Sequence, residues 1–257
     1  MGVSRKNIYR VGKQEPKDIL FKEEIEKVHL NHPSYGHKRV ALHLDVNHKK
    51  TARVMKKYDI HPPRRRKRGF FTTRSVSGHH YTNLIKDISP VLPHHVWCAD
   101  LSYLKFQGKF WYLSDVEDMV TRQVLSIKIG NQHNSQLVVT TLKQALTKAT
   151  PLIFHSDQGS EFMANTSTNY LEERGVKISV SDKASPWQNG YQESFFGRFK
   201  EEFGDPNRFE TIGELIEEVY SQTYYYNHHR IHTSLKMPPA VYAKQKYSDY
   251  CLQERGT

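Results

Sequence analysis

Pro151-Leu-Ile-Phe-His155-Ser-Asp157-Gln-Gly159-Ser-Glu-Phe162 is the stretch on which the reading of this chain turns. A short apolar run stops at a carboxylate and a glycine, as a buried strand does where it reaches the open end of a sheet. Glycine there lets backbone approach a ligand closely. Beyond it, a helical segment is expected over Tyr191–Phe203; 35 residues separate Asp157 from Glu193, and Lys200 follows seven after Glu193. At about 100° per residue, Phe195, Phe196, Phe199 and Phe203 make one stripe, with Glu193 and Lys200 on the adjoining face. The stripe anchors the helix, and the carboxylate and ammonium are left to meet one phosphate-bearing substrate.

Working outward, a third acid, Asp100, lies in Val96-Trp-Cys-Ala-Asp100-Leu101, an apolar and aromatic run that reads as strand. Strands are expected at Val96–Leu104, Phe110–Val116 and Val124–Ile129, with a turn at Gly108, giving an antiparallel meander. A helix over Ser135–Ala149 follows, burying Leu137, Val138, Leu142, Ala145 and Leu146. Leu152–His155 reads as a strand, Ser160–Arg174 as a helix stopped by Gly175, and Val176–Val180 as a strand. A last helix runs from Thr211 to about Asn227, and Met237-Pro238-Pro239 is read as the end of regular structure. A meander followed by alternating helices and strands implies an α/β fold, a ribonuclease H-like mixed sheet flanked by helices.

Charge divides the chain. Residues 1–94 hold 21 Lys and Arg against 8 Asp and Glu, or +13, whereas 95–257 hold 17 against 19, or −2. The division supports a helical, helix-turn-helix-like DNA-binding region at 1–60, a basic linker at 61–94, the catalytic core at 95–245 and a tail at 246–257. Helices are expected over Glu15–Asn31, where Ile19, Leu20, Ile25, Val28 and Leu30 recur, then over His37–Leu44 and Lys49–Tyr58. The third displays Lys49, Lys50 and Arg53. The plainer reading of that display is a solvated basic face. Residues 60–86 contain no acid, so Arg64, Arg65, Arg66, Lys67 and Arg68 cannot be neutralised within that segment and suit a phosphate backbone. No apolar run reaches the roughly 18 residues of a membrane span. With no apolar leader either, a cytoplasmic protein is expected. Two cysteines without a CxxC pair argue against a disulfide framework or a thiolate zinc site.

Three carboxylates suit divalent-metal chemistry on nucleic acid. Hard cations take oxygen ligands, and a pair of Mg2+ ions can activate the attacking oxygen and stabilise the leaving one. Asp100, Asp157 and Glu193 are therefore candidate metal ligands. An arbitrary Asp or Glu is usually a solvated surface acid. What distinguishes these three is that each lies in a segment whose apolar pattern would bury or half-bury it, at an otherwise unneeded cost.

Several segments resemble a known family: Trp97-Cys-Ala-Asp100-Leu-Ser-Tyr, Tyr112-Leu-Ser-Asp-Val-Glu-Asp118, His155-Ser-Asp157-Gln-Gly-Ser-Glu-Phe, Asn189-Gly-Tyr-Gln-Glu193-Ser-Phe-Phe-Gly-Arg-Phe-Lys200 and Tyr226-Asn-His-His-Arg230-Ile-His232. They are similar to the integrase core of DDE transposases, in particular the second reading-frame product of the IS-three family of bacterial insertion sequences. His32-Pro-Ser-Tyr-Gly36 through Lys57 is similar to the amino-terminal part of that product. The resemblance implies DNA 3′-end cleavage and strand transfer with two Mg2+ (or Mn2+) ions per site. Asp100, Asp157 and Glu193 are then the metal ligands, and Lys200 contacts DNA near the reacting end. It also implies transposon ends and target DNA as partners, assembly as a homo-oligomer on DNA, fusion to an upstream reading-frame product, and work at the bacterial nucleoid. Asn189-Gly190 stands where many relatives carry Asp-Asn. The competing expectations are a non-catalytic regulatory DNA-binding derivative and a stand-alone ribonuclease H-like nuclease.

Overall fold

The computed structural model describes residues 14–63, 81–182 and 190–255, without the side chains of 190–193 and 249–255. These residues form two compact units: 14–63 with 231–236, and 81–182 with 190–230 and 237–255. Among them, no helix is long and apolar enough to cross a membrane.

The first unit holds α1 (Gln14–Asn31), α2 (His37–His43) and α3 (His48–Lys57). Its core is Phe21, Ile25, Val28, Tyr35, Val40, Val54 and Met55. The buried stripe of α1 differs from the one expected, because Asp18, Phe21, Ile25 and Val28 face inward while Ile19, Leu20 and Leu30 are exposed. Asp18 can take a core position because Arg53 binds it through both terminal nitrogens, at 2.7 and 2.6 Å, and Lys57 at 3.1 Å. Those partners hold its carboxyl well below the usual range, Arg53 first. Ile231 packs on the same core, and its backbone N–H donates to Tyr35 Oη at 2.7 Å.

The second unit is built on a five-stranded sheet in the order β3-β2-β1-β4-β5. Strands β1 (Val96–Phe106), β2 (Lys109–Asp118) and β3 (Val124–Gly130) are antiparallel; β4 (Ile153–Ser156) and β5 (Lys177–Val180) run parallel to β1. Gln107 and Gly108, with φ of 47° and 78°, form the tight turn between β1 and β2, a shape that matches the twist of the strands. Side chains alternate along β1. Trp97 and Ala99 point into the core under α4 (Ser135–Leu146), with Val138 and Leu142. Leu104 and Phe106 point into a second core against Phe195, Phe196, Phe199 and Phe203 of α7 (Gly190–Phe203) and Leu215 and Val219 of α8 (Ile212–His228). The mixed sheet with helices on both faces is the architecture expected, and the aromatic stripe of α7 is buried as expected.

Two elements differ. The helix expected over Ser160–Arg174 is broken at Ala164, whose ψ of 140° separates α5 (Ser160–Met163) from α6 (Asn165–Glu172). The chain after Met237 is helical rather than irregular: α9 spans Pro239–Arg255. Proline at a first helical position costs little, since its missing N–H would have no partner there. Residues 81–94, read as linker, add to the second unit: Val180 N donates to Thr82 O at 3.2 Å, and Ile85 is buried with Val96, Cys98 and Ile153.

Candidate active site

Asp157 immediately follows β4, and Asp100 lies within β1 beside it. The parallel pairing runs Val96 with Ile153, Trp97 with Phe154 and Cys98 with His155. Two residues further along each strand, the same register brings Asp100 level with Asp157. Alternation puts Asp100 on the face covered by α7, which packs on β1 and carries Glu193, and Asp157 stands one residue past the end of β4. The structure thus brings Asp100 and Asp157 to neighbouring backbone positions on adjacent strands; Glu193 falls on the expected helix, with its side chain outside the described residues. Among the described residues, no three His, Cys, Asp or Glu form a ready-made metal cluster.

Asp157 is half-buried, and its Oδ1 accepts from Gly159 N at 2.9 Å. Burial pushes its pKa up, opposed by that N–H; the Glu161 carboxylate adds to the rise and His133 lowers it. The close approach that Gly159 permits is to this carboxylate, since a Cβ there would sit 2.9 Å from Asp157 Oδ1 and 3.3 Å from Glu161 Oε2. His133 Nδ1 holds Glu161 at 2.8 Å. Asp100 Oδ1 accepts from Leu101 N at 2.8 Å. His155 is fully buried between Ser179 Oγ at 2.9 Å and Ser181 Oγ at 3.1 Å, and burial lowers its pKa to about 4. In the neutral ring one nitrogen donates and the other accepts, so both are engaged inside the sheet.

Sequence reasoning missed the acids of β2. Asp115 pairs directly with Asp100, and Glu117 with Cys98, which sets both on the face of the site. Asp115 is fully buried, and among the described residues neither of its carboxylate oxygens has a side-chain hydrogen-bond partner. Burial raises its pKa well above the usual range, with Glu117 and Asp100 adding to the rise. The oxygen donors of Asp100 and Asp157, with the buried carboxylate of Asp115 opposite Asp100, suit a hard divalent cation. The signal was present as acids two apart on one strand, but it acquires meaning only with the register.

Burial also pushes Glu117 up to about 8, opposed by Arg122 and reinforced by Asp118. A carboxyl whose folded pKa is raised adds stability that is complete below its unfolded pKa and is lost as pH rises through the folded value. Without divalent cations, thermal unfolding should show stability falling between pH 5 and 9. Glu117→Gln should reduce that fall by a few kcal/mol. Equal slopes in the two proteins would contradict this account of Glu117.

Of the candidate DNA contacts, Lys49 and Lys50 are exposed on α3, with Lys50 Nζ 3.8 Å from the centre of the Phe21 ring. Arg53 is turned onto Asp18. Lys200 is half-buried, its Nζ 4.6 Å above the Tyr103 ring. Arg64–Arg68 lie outside the described residues.

Helix α8 ends in a buried polar clasp. Asn227 Oδ1 accepts from Val124 N at 3.0 Å and its Nδ2 donates to Val124 O at 2.9 Å, while Arg230 Nε binds Glu202 of α7 at 2.8 Å. Within the Tyr226–His232 motif Asn227 thus ties the end of α8 to β3, and Arg230 holds α7, the helix that carries Glu193.

Two family models, each described as an integrase core domain, match residues 90–186 and 174–239. The fold is also that of a retroviral integrase core: the HTLV-2 integrase catalytic core domain, solved in complex with magnesium, superposes with a TM-score of 0.51 at 16% identity, covering 60% of this chain and 99% of that one. The putative transposase InsK for insertion sequence element IS150 of Escherichia coli K12 is 31% identical, covering 88% of this chain and 83% of its own. The insertion element IS600 31 kDa protein of Shigella sonnei is 30% identical over 96% of each chain. The chain belongs to the family of insertion-sequence transposases with an integrase core.

Proposed function

We propose that this transposase cleaves DNA 3′ ends and transfers them to target DNA through Asp100, Asp157 and Glu193. The observation that carries the reading is the β1–β4 register, which brings Asp100, on the sheet face covered by the Glu193 helix, level with Asp157 at the end of β4. Phosphoryl transfer leaves a protein little covalent work, so catalysis rests on positioning and charge stabilisation. A bound pair of Mg2+ or Mn2+ ions would supply activation of the attacking oxygen and stabilisation of the leaving one. The three carboxylates would hold them. Gly159 N fixes one Asp157 oxygen and Leu101 N one Asp100 oxygen, which orients the second oxygen of each. Lys200 would bind a phosphate near the reacting end, and Lys49 and Lys50, with the basic run Arg64–Arg68, would bind the DNA backbone. On this reading the chain acts on insertion-sequence ends in a bacterial cytoplasm, as an oligomer and together with an upstream-frame product; the insertion-sequence names of the InsK and IS600 relatives support the first of these.

Strand transfer tests the proposal: labelled DNA carrying the element's own ends, in Mg2+, with the chain alone and fused to its upstream frame. Joined products are expected in at least one reaction. Binding without joining in both would favour a regulatory derivative. Hydrolysis of RNA–DNA hybrids in place of joining would favour a nuclease.

A further inference from the structure

The distal half of the β1–β2 hairpin carries a surface that the proposed chemistry leaves unused. Tyr103 pairs with Tyr112 and Lys105 with Phe110, so these four and Leu101 share one face of the sheet, that of Trp97 and Ala99 and opposite to Asp100. None of the five positions is acidic. Phe110 is 45% exposed and Lys105 is exposed.

The rings form a row. Phe110 meets Tyr103 edge-on at 5.2 Å, Tyr103 stands opposite Tyr112, and the Tyr112 ring lies 5.0 Å from His133. His133 holds Glu161, whose carboxylate borders Gly159 and Asp157. Lys200 reaches the same row through Tyr103. A line of π-faces thus runs from the exposed hairpin, on the α4 face of the sheet, through His133 and Glu161 to the Asp157 loop, with Lys105 along it and Lys200 reaching it from α7. Cross-strand aromatic pairing alone would serve the sheet. It would not require exposed Phe110, the interleaved lysines or the continuation to the Asp157 loop.

We propose that this row binds an unpaired DNA strand at the reacting end, its rings stacking on nucleobases and Lys105 and Lys200 holding phosphates. The inference rests on the transposase reading of the site. Base–aromatic stacking accepts any base, because every base has a π-face, and lysines between rings follow the backbone. A fully paired duplex hides those faces within its own stack, whereas an end whose terminal pairs have opened presents them.

The test compares binding of the whole chain, without divalent cation, to two DNA ends of one sequence. One is fully paired; the other has mismatched terminal pairs and 2-aminopurine in its opened strand. The opened end is expected to bind tighter by roughly tenfold, with quenched 2-aminopurine fluorescence. Phe110→Ala and Tyr103→Leu should each remove most of that preference and of the quenching while affinity for the paired end is kept. Lys105→Gln should weaken both ends alike and lower the salt dependence. Equal affinity of the unaltered protein for the two ends, or a preference that survives both ring variants, overturns the proposal. Strand transfer in Mg2+ separates the two readings: joined products without an end preference reject the track and keep the transposase. Absence of joining counts against the site, and the binding comparison still decides the track.

Discussion

Asp157→Ala is expected to lower strand transfer at least about a thousandfold, because a lost metal ligand removes several kcal/mol of charge stabilisation. DNA affinity should be unchanged or higher, since one carboxylate fewer repels phosphate. The alanine also loses the bond from Gly159 N, a local cost of about 1 kcal/mol. Asp157→Asn keeps an acceptor for that N–H and should be equally inactive, which separates loss of the ligand from loss of the loop. Joined products from either variant, at more than a few per cent of the unaltered rate, would remove Asp157 from the site. Band-shift binding run beside the transfer assay shows whether the inactive proteins still hold DNA.

The other large effect is expected in stability. The side chains of Arg230 and Glu202 are 4% and 7% exposed, and Arg230 Nε lies 2.8 Å from both carboxylate oxygens. Removing one member of a buried ion pair leaves the other charge desolvated without its counter-ion, at a cost of about 3–5 kcal/mol. Arg230→Ala should show that loss in denaturant unfolding. Replacing both residues with methionine should recover most of it, because an apolar pair of similar volume is often neutral. A loss below about 1 kcal/mol for the single variant would mean that the pair does not hold α7 to α8.

How much of this could be read without coordinates depended on whether the cause was local. The aromatic stripe of α7 and the meander are set by nearest-neighbour periodicity, and both were legible, as was the strand that delivers Asp157 to its end. The stripe of α1 was not, because the burial of Asp18 depends on Arg53 and Lys57, far along the chain. Pro238-Pro239 read as a stop although Pro239 begins a helix. Asp115 was hidden for a different reason: a strand acid is ordinary until pairing places it against Asp100. Glu193 is placed by its helix and by the resemblance alone, since its side chain and residues 183–189 lie outside the described residues.

The helical unit is assembled from two distant stretches, 14–63 and 231–236, joined where Ile231 meets Tyr35. A recombination event with one breakpoint in the basic segment would exchange the three helices but leave the stretch 231–236 behind in the old chain. Such chimaeras should be unstable unless the swapped region also carries the six residues after Arg230. Shuffling of amino-terminal parts between insertion elements is therefore constrained to two coordinated breakpoints, and a deletion intended to isolate the helices must retain both stretches.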